Sequence, residues 1–304
     1  MEQGKASFLR KKRLSRTSSF EIIGTNLIKG LRFVRKEFLK YRGSPMDKNE
    51  LISLFHKELR QEARVKGYIR EETEHVVRHI SQFGEKGFII SSNVNESDVR
   101  EIIKNELNYF SNLEQDFEWK VYNYDKPTSL KDILEQEGFT VDDPEALMVM
   151  KLDEQHPLLN YDQNFNLKEI TDEQGIQDII VLEDAIWNVP HAELGERLWR
   201  DKKNNPESLY LYGIYEDGQL VSAAWMYLEE NSSFASLWGG STLPLFRGKG
   251  YYTALLATRA KKAYENGHPF LTVDASSMSR PILEKSGFLC LAYSYGCQSP
   301  STKQ

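Results

Sequence analysis

Arg247, Gly248, Lys249 and Gly250 put two cations and two glycines into one tetrapeptide, between a strand-like run and a helix-like run. The glycines let the main chain take positive φ and approach a ligand closely, so successive N–H groups can turn into one concavity. If a helix starts at Tyr251, its unpaired first-turn amides and the positive end of its dipole add to that concavity, and such a turn suits a phosphate. The turn of Arg247, Gly248, Lys249 and Gly250 leads directly into Tyr251, Tyr252 and Thr253. No Lys-Ser or Lys-Thr follows the glycines at the spacing of a nucleotide P-loop.

Flanking elements must hold the turn in place. Tyr252, Leu255, Leu256, Ala260 and Ala263 recur at helical spacing, and Gly267 and Pro269 end the run. Upstream, residues 233–243 read as a strand broken at Gly239 and Gly240, which predicts a bulge or a splayed strand. Downstream, residues 270–274 read as a strand, 279–285 as a short helix closing at Gly287-Phe288, and 290–295 as a further strand.

Over residues 165–297 these features resemble the GNAT family, the GCN5-related N-acetyltransferases. The motif of Arg or Gln, two residues, Gly, one residue, then Gly or Ala is met at Arg247 and Gly250, with Tyr252 standing where the family has a small residue. Pro244-Leu-Phe-Arg247 and Leu283-Glu-Lys-Ser-Gly-Phe288 are similar to the family's approach to the turn and to its closing helix. The resemblance implies an α/β fold with a mixed central sheet flanked by helices, and acetyl-coenzyme A as co-substrate. Its pyrophosphate would lie on residues 247–253, and its arm along the backbone of Ser241, Thr242 and Leu243. The implied reaction is direct attack of an amine on the thioester.

Such chemistry needs a proton acceptor for the amine, a donor for the oxyanion and a proton for the sulfur. Many relatives carry an Asn and a Tyr at positions occupied here by Ser276 and Leu283, so the usual sulfur acid is missing. Asp274, Ser276 and Ser279 are the candidate catalytic residues, with helix capping the other reading of the serines. Tyr252 or a water are further candidate acids. Residues 175–200 read as the helical region that shapes the acceptor pocket in the resembled family, and Glu183, Asp184, His191 and Glu193 are its titratable groups. Trp187, His191, Trp225 and Trp238 are the expected acceptor-pocket residues, with ordinary core packing the other reading of the aromatics.

The chain has 304 residues, 40% hydrophobic and 28% charged, enough for two cores. No apolar run approaches the roughly 20 residues of a membrane span. The two cysteines, Cys290 and Cys297, give neither a disulfide framework nor a metal spacing, and no metal is expected. His75 and His79 read as polar surface. The net charge is −6, but residues 1–45 hold 12 Lys and Arg against 3 Glu, so the rest carries −15. An acidic body argues against nucleic acid and favours a cationic acceptor, either a small amine or a peptide N-terminus. The basic stretch 1–45 reads as a flexible extension, with helical periodicity over residues 20–41; translation starting at Met46 and a transit peptide are the alternatives. The expected location is the cytoplasm.

Residues 46–153 read as a second unit, with a helix over 47–65, strands at 75–80, 88–92 and 117–124, and helices at 96–110 and 129–136. Residues 125–139 align without a gap on residues 274–288, matching at Asp, Ile-Leu-Glu and Gly-Phe. The repeat predicts two GNAT-like halves, a degenerate one over 46–153 and a catalytic one over 154–304. The first has Ser91-Ser-Asn-Val-Asn95 where the second has its glycine turn, and so is not expected to bind coenzyme A. The expected activity is N-acetyl transfer; a non-catalytic acyl-coenzyme A sensor is the alternative.

Overall fold

The computed structural model describes residues 45–162 and 165–301. The basic extension, with its expected helix over 20–41, lies outside the described residues apart from Pro45.

In the first half, α1 (Lys48–His56) opens on a reciprocal cap between Asp47 and Glu50 and runs into a π turn, Lys57–Gln61. Then come β1 (Tyr68–Glu72), β2 (Val76–Ser81), β3 (Gly87–Ser92), α2 (Val99–Asn112), β4 (Phe117–Tyr122), α3 (Leu130–Gln136), β5 (Thr140–Val141) and β6 (Glu145–Lys151). The second half contains β7 (Leu167–Ile170), α4 (Glu173–Trp187), α5 (Ala192–Asn204), β8 (Leu209–Glu216), β9 (Gln219–Leu228) and β10 (Phe234–Thr242). It closes with α6 (Tyr251–Glu265), β11 (Phe270–Ala275), α7 (Arg280–Lys285) and β12 (Leu289–Gln298). The helical region expected over 175–200 is thus two helices, parted where Asn188 turns left-handed at φ 56°. β1 and the strands β5 to β9 were not foreseen.

The twelve strands of the described residues join one mixed sheet, in the order β1-β2-β3-β4-β12-β6-β11-β10-β9-β8-β7, with β5 on β12. The repeat is visible in the pairing. β3 and β4 run parallel around the crossover helix α2, as β10 and β11 do around α6. The halves also exchange their last strands. β6, from the first half, lies antiparallel between β11 and β12 of the second. β12, from the second half, pairs with β4, β5 and β6 of the first.

β6 suits this central place because both of its faces are covered. Ala146, Met148 and Met150 pack into the core beneath α6, while Leu147 and Val149 pack with Leu51 and Phe55 of α1. A strand buried on both faces reads as a continuous apolar run rather than an alternating one, as residues 146–150 do. A further core lies between α2, α3 and the first-half strands, around Phe110, Phe117 and Trp119. The last one lies between β8, β9 and the pair α4 and α5.

One surface reading is corrected. His79 is fully buried in β2, stacked on Phe88 with ring centroids 4.5 Å apart and Nε2 3.2 Å from the Ala63 carbonyl. Burial pushes its pKa down to about 4, so it stays neutral. A register shift between Val77 and Arg78 breaks the strict alternation of β2 next to it.

Candidate functional site

β10 and β11 pair only at Phe234–Phe270, Ala235–Leu271 and Ser236–Thr272. Beyond Ser236 they part, and among the described residues no strand pairs with that edge of β10. The expected bulge is present: Gly239 opposes Ala224, Ser241 opposes Ala223, and Gly239 and Gly240 have φ of 68° and 93°. A Cβ on Gly239 would lie 2.4 Å from the Trp225 ring, and one on Gly240 would lie 2.9 Å from the Tyr252 ring. Glycine is therefore required at both positions by neighbours as well as by dihedral angle.

The chain then leaves the sheet through the short 3-10 turn Pro244–Phe246. Gly248 and Gly250 take φ of 76° and 89°, and α6 starts at Tyr251. The amide of Leu243 donates to Val221, that of Phe246 to Leu243, that of Arg247 to Pro244 and that of Ala254 to Gly250. Among the described residues no acceptor takes the amides of residues 248–253. Among the described residues nothing lies within 4 Å of a Cβ built on Gly248, so the chain faces open space there.

The side chains around the turn divide their roles. Arg247 Nε donates to the Thr242 carbonyl at 3.1 Å, and Lys249 Nζ lies 4.6 Å from the Phe246 ring centroid. The Tyr251 side chain is buried, edge-on to Phe165, with its hydroxyl on Glu216. Tyr252 is turned against Gly240, which is how the chain accommodates a bulky residue where the resembled motif has a small one. Ser222 ties down the strand end, its hydroxyl 3.0 Å from the Ser241 carbonyl and 2.7 Å from Thr242 Oγ1. Thr253 is half-buried in the first turn of α6.

Two residues fix the bulge from either face, Arg259, which sequence reasoning missed, and Glu183, which it noted only as a titratable group. Arg259 of α6, 2% exposed, reaches both the Trp225 and the Trp238 carbonyls from Nη1 at 3.2 Å. Its desolvated guanidinium has a pKa lowered to about 10. On the opposite face Glu183 of α4, 4% exposed, accepts from Trp187 Nε1 at 2.9 Å and from Ser241 Oγ at 3.0 Å through Oε2. Helical periodicity marks both, since Arg259 sits on the buried stripe of α6 with Leu255 and Ala263, and Glu183 on that of α4 with Ile176, Ile179 and Ile180. A charged residue on a buried stripe signals a specific partner.

Of the expected acceptor-wall residues, Trp187 and Trp238 are 54% and 52% exposed. Trp225 is corrected to core: it is 5% exposed and packs with Ile179, Leu198 and Leu211. His191 is held by Asp184, whose Oδ1 accepts from its backbone amide at 2.8 Å and lies 2.9 Å from its Nδ1.

The candidate catalytic residues are dispersed. Ser276 Oγ lies 3.3 Å from Ser279 Oγ and accepts from the Ser279 amide at 3.3 Å in the turn before α7, while Ser279, at the N-cap position of that helix, makes no side-chain cap bond. Asp274 lies on the α1 side of the sheet, 3.2 Å from Lys120 of β4, which also holds Glu145 at 2.8 Å. Desolvation raises the Asp274 carboxyl and Lys120 opposes the rise; burial lowers Lys120, but the neighbouring Asp274, Tyr122 and Glu145 together raise it above the ordinary lysine range. Leu283, at the missing-acid position, is core at 2% exposed.

The equivalent place in the first half is filled. β3 and β4 pair only through Ile89 and Trp119. Just beyond, the fully buried Arg60 from the π turn donates to the Ile90 carbonyl at 2.7 Å and to both oxygens of Asp125 at 2.6 and 2.8 Å. Its guanidinium lies 4.3 Å from the Tyr122 ring centroid. Asp125 is the residue that the repeat aligns with Asp274.

A cavity of about 340 Å³ lies among Glu169, Trp199, Lys202 and Lys262, and contains none of the turn residues. Among the described residues no group of three or more His, Cys, Asp or Glu could hold a metal ion, and no helix is long and apolar enough to cross a membrane.

Residues 176–288 match the model of the acetyltransferase (GNAT) family. Among solved structures the chain is similar to a GCN5-related N-acetyltransferase from Kribbella flavida, with a TM-score of 0.59 and 15% identity over 84% of this chain and 97% of that one. It is also similar to a tandem GNAT protein from the clavulanic acid biosynthesis pathway, with a TM-score of 0.54 and 11% identity over 93% and 95%. A GCN5-related N-acetyltransferase from Sphaerobacter thermophilus matches with a TM-score of 0.50 and 14% identity over 75% and 81%. At these identities the likeness is one of fold. No curated protein sequence matches the chain. With the splayed strands, the glycine turn and the family match all falling in one segment, residues 176–288 form a domain of the acetyltransferase (GNAT) family, set in a tandem GNAT fold.

Proposed function

We propose that this chain is an acetyl-coenzyme A dependent N-acetyltransferase whose working half is residues 154–304, completed by β6. The observation that carries the reading is the run of unpartnered amides at residues 248–253, opening at two positive-φ glycines and leading into a helix N-terminus beside a splayed strand. That cradle fits a diphosphate in charge and in space. Residues 247–253 would hold the pyrophosphate, and the free edge of β10 at Ser241, Thr242 and Leu243 would hold the pantetheine arm.

Bound acetyl-coenzyme A supplies a thioester that an amine converts to an amide, releasing the thiol. The chain's own part is positioning. Arg259 and Ser222 hold the carbonyls of the β10 bulge and strand end, and Gly240 is kept clear for the Tyr252 ring. Asp274 is the titratable group on the neighbouring strand, and Ser276 in this reading holds the turn before α7 through the Ser279 amide. The first half contributes β6 and Lys120 but no second cofactor site, since Arg60 and Asp125 occupy its splay. A cytoplasmic location and a small amine or peptide N-terminus as acceptor belong to the same proposal.

The test is to mix the protein with acetyl-coenzyme A and a panel of amines and to follow free thiol. Acceptor-dependent release supports the enzyme. Tight binding with no release from any acceptor makes the protein an acyl-coenzyme A sensor instead.

A further inference from the structure

Glu183 has one oxygen committed and one free. Oε2 takes both the Trp187 indole and the Ser241 hydroxyl, while Oε1 is shielded from solvent and has no partner among the described residues. Leaving a buried acceptor unpaired is unfavourable, more so for a charged group, so such an atom in a well-packed site points to a partner that arrives from outside the chain.

The surroundings define that partner. A carboxylate accepts hydrogens, and a cation satisfies it better than a neutral donor. Trp187 is bonded to the same carboxylate and keeps about half its surface exposed. Trp238 stands directly opposite Trp225 in the β9–β10 pair, and Trp225 packs on the α4 side, so Trp238 faces that side too. Two exposed indoles on the side of a buried carboxylate suit a compact organic cation. Ser241 ties the carboxylate to the residue just past the bulge.

We infer that Glu183 is the acceptor-binding carboxylate, taking an alkylammonium group on Oε1 with Trp187 and Trp238 alongside, which makes alkylamines, rather than neutral arylamines, the acceptor class. This rests on the proposed acetyl transfer at the adjacent strand. Glu183 acts here as a specificity-determining residue, and the Trp187 indole positions it.

The experiment compares wild type, Glu183→Gln and Glu183→Asp. Thiol release is measured with n-butylamine and with aniline, alkylamine binding and acetyl-coenzyme A binding by calorimetry, and folding by thermal melting. Glu183→Gln keeps size and melting behaviour, and is expected to raise the KM for n-butylamine at least tenfold, about 1.4 kcal/mol. Acetyl-coenzyme A affinity should stay unchanged, and Glu183→Asp should recover part of the loss. An unchanged n-butylamine KM in a folded Glu183→Gln, or wild type preferring aniline, overturns the inference while leaving acetyl transfer intact. If wild type releases no thiol with any amine, acetyl transfer fails, and calorimetry still decides: n-butylamine binding lost in Glu183→Gln supports the carboxylate's role, and binding that is absent or unaffected overturns it.

Discussion

Lys120 of β4 reaches Asp274 of β11 at 3.2 Å, so a cation from the first half neutralises the carboxylate at the end of the second half's splayed strand. The Asp274 side chain is 33% exposed and that of Lys120 16%, which puts the pair between surface and interior.

Lys120→Met should expose how the halves share charge. Desolvation already holds the Asp274 carboxyl above its ordinary value, and removing Lys120 raises it further. A raised carboxyl favours folding when protonated and is a burden once ionised, so the stability deficit of the variant should be greatest at neutral pH. It should shrink as pH falls through the carboxylate range and Asp274 takes up its proton. The expected deficit at neutral pH is about 1 to 3 kcal/mol, between the values for exposed and for buried pairs. Denaturant unfolding of both proteins at neutral and acid pH checks it, and a deficit independent of pH would contradict the charge account.

Gly250→Asp should weaken acetyl-coenzyme A binding tenfold or more, about 1.4 kcal/mol. The change sets a carboxylate at the head of the unpartnered amides and forces a residue with a β-carbon to hold φ near 89°. Calorimetry gives the affinity, and melting curves separate lost binding from lost folding. Unchanged affinity would remove the turn from the cofactor site.

How much of this was legible depended on how local the determinant was. The turn and bulge could be read because glycine spacing sets backbone geometry within a few residues, and Gly239, Gly240, Gly248 and Gly250 all take positive φ. Strand exchange could not be read, because the apolar run 146–150 fits a buried strand in either half and nothing within it names its neighbours. Trp225 and Trp238 look alike in sequence and share one face of the sheet, yet one is core and the other exposed, since Trp225 packs among the residues of α4 and α5 and Trp238 lies at the open splay. Glu183 was noted as a titratable group, but its importance comes from Ser241, 58 residues away in the chain.

Leu283→Tyr would place a phenol where the resemblance implies a sulfur acid, yet it should cost stability without raising the rate. Leu283 is 2% exposed in the core beneath α6 and α7, together with Met150 and Phe288. A larger ring overpacks such a site by about 1 to 3 kcal/mol, and a buried hydroxyl without a partner adds to the penalty. A lower melting temperature with no gain in thiol release is expected. A variant that melts like wild type and turns over faster would mean that the position opens toward the splay.

Residues 154–304 alone should fail to fold, although the GNAT-matching segment lies wholly within them. Without β6, both β11 and β12 lose the strand between them, and each gains an unpaired edge of the kind that drives aggregation. Leu147, Met148, Val149 and Met150 are essentially fully buried. At about 1.5 to 3 kcal/mol for each large apolar side chain, their loss removes roughly 6 to 12 kcal/mol, as much as the net stability of a typical domain. The fragment should be insoluble, and co-expression with residues 46–153 should bring it into solution as a stable pair. A fragment that is soluble alone, with a single cooperative melting transition, would mean that the second half closes its sheet without the borrowed strand.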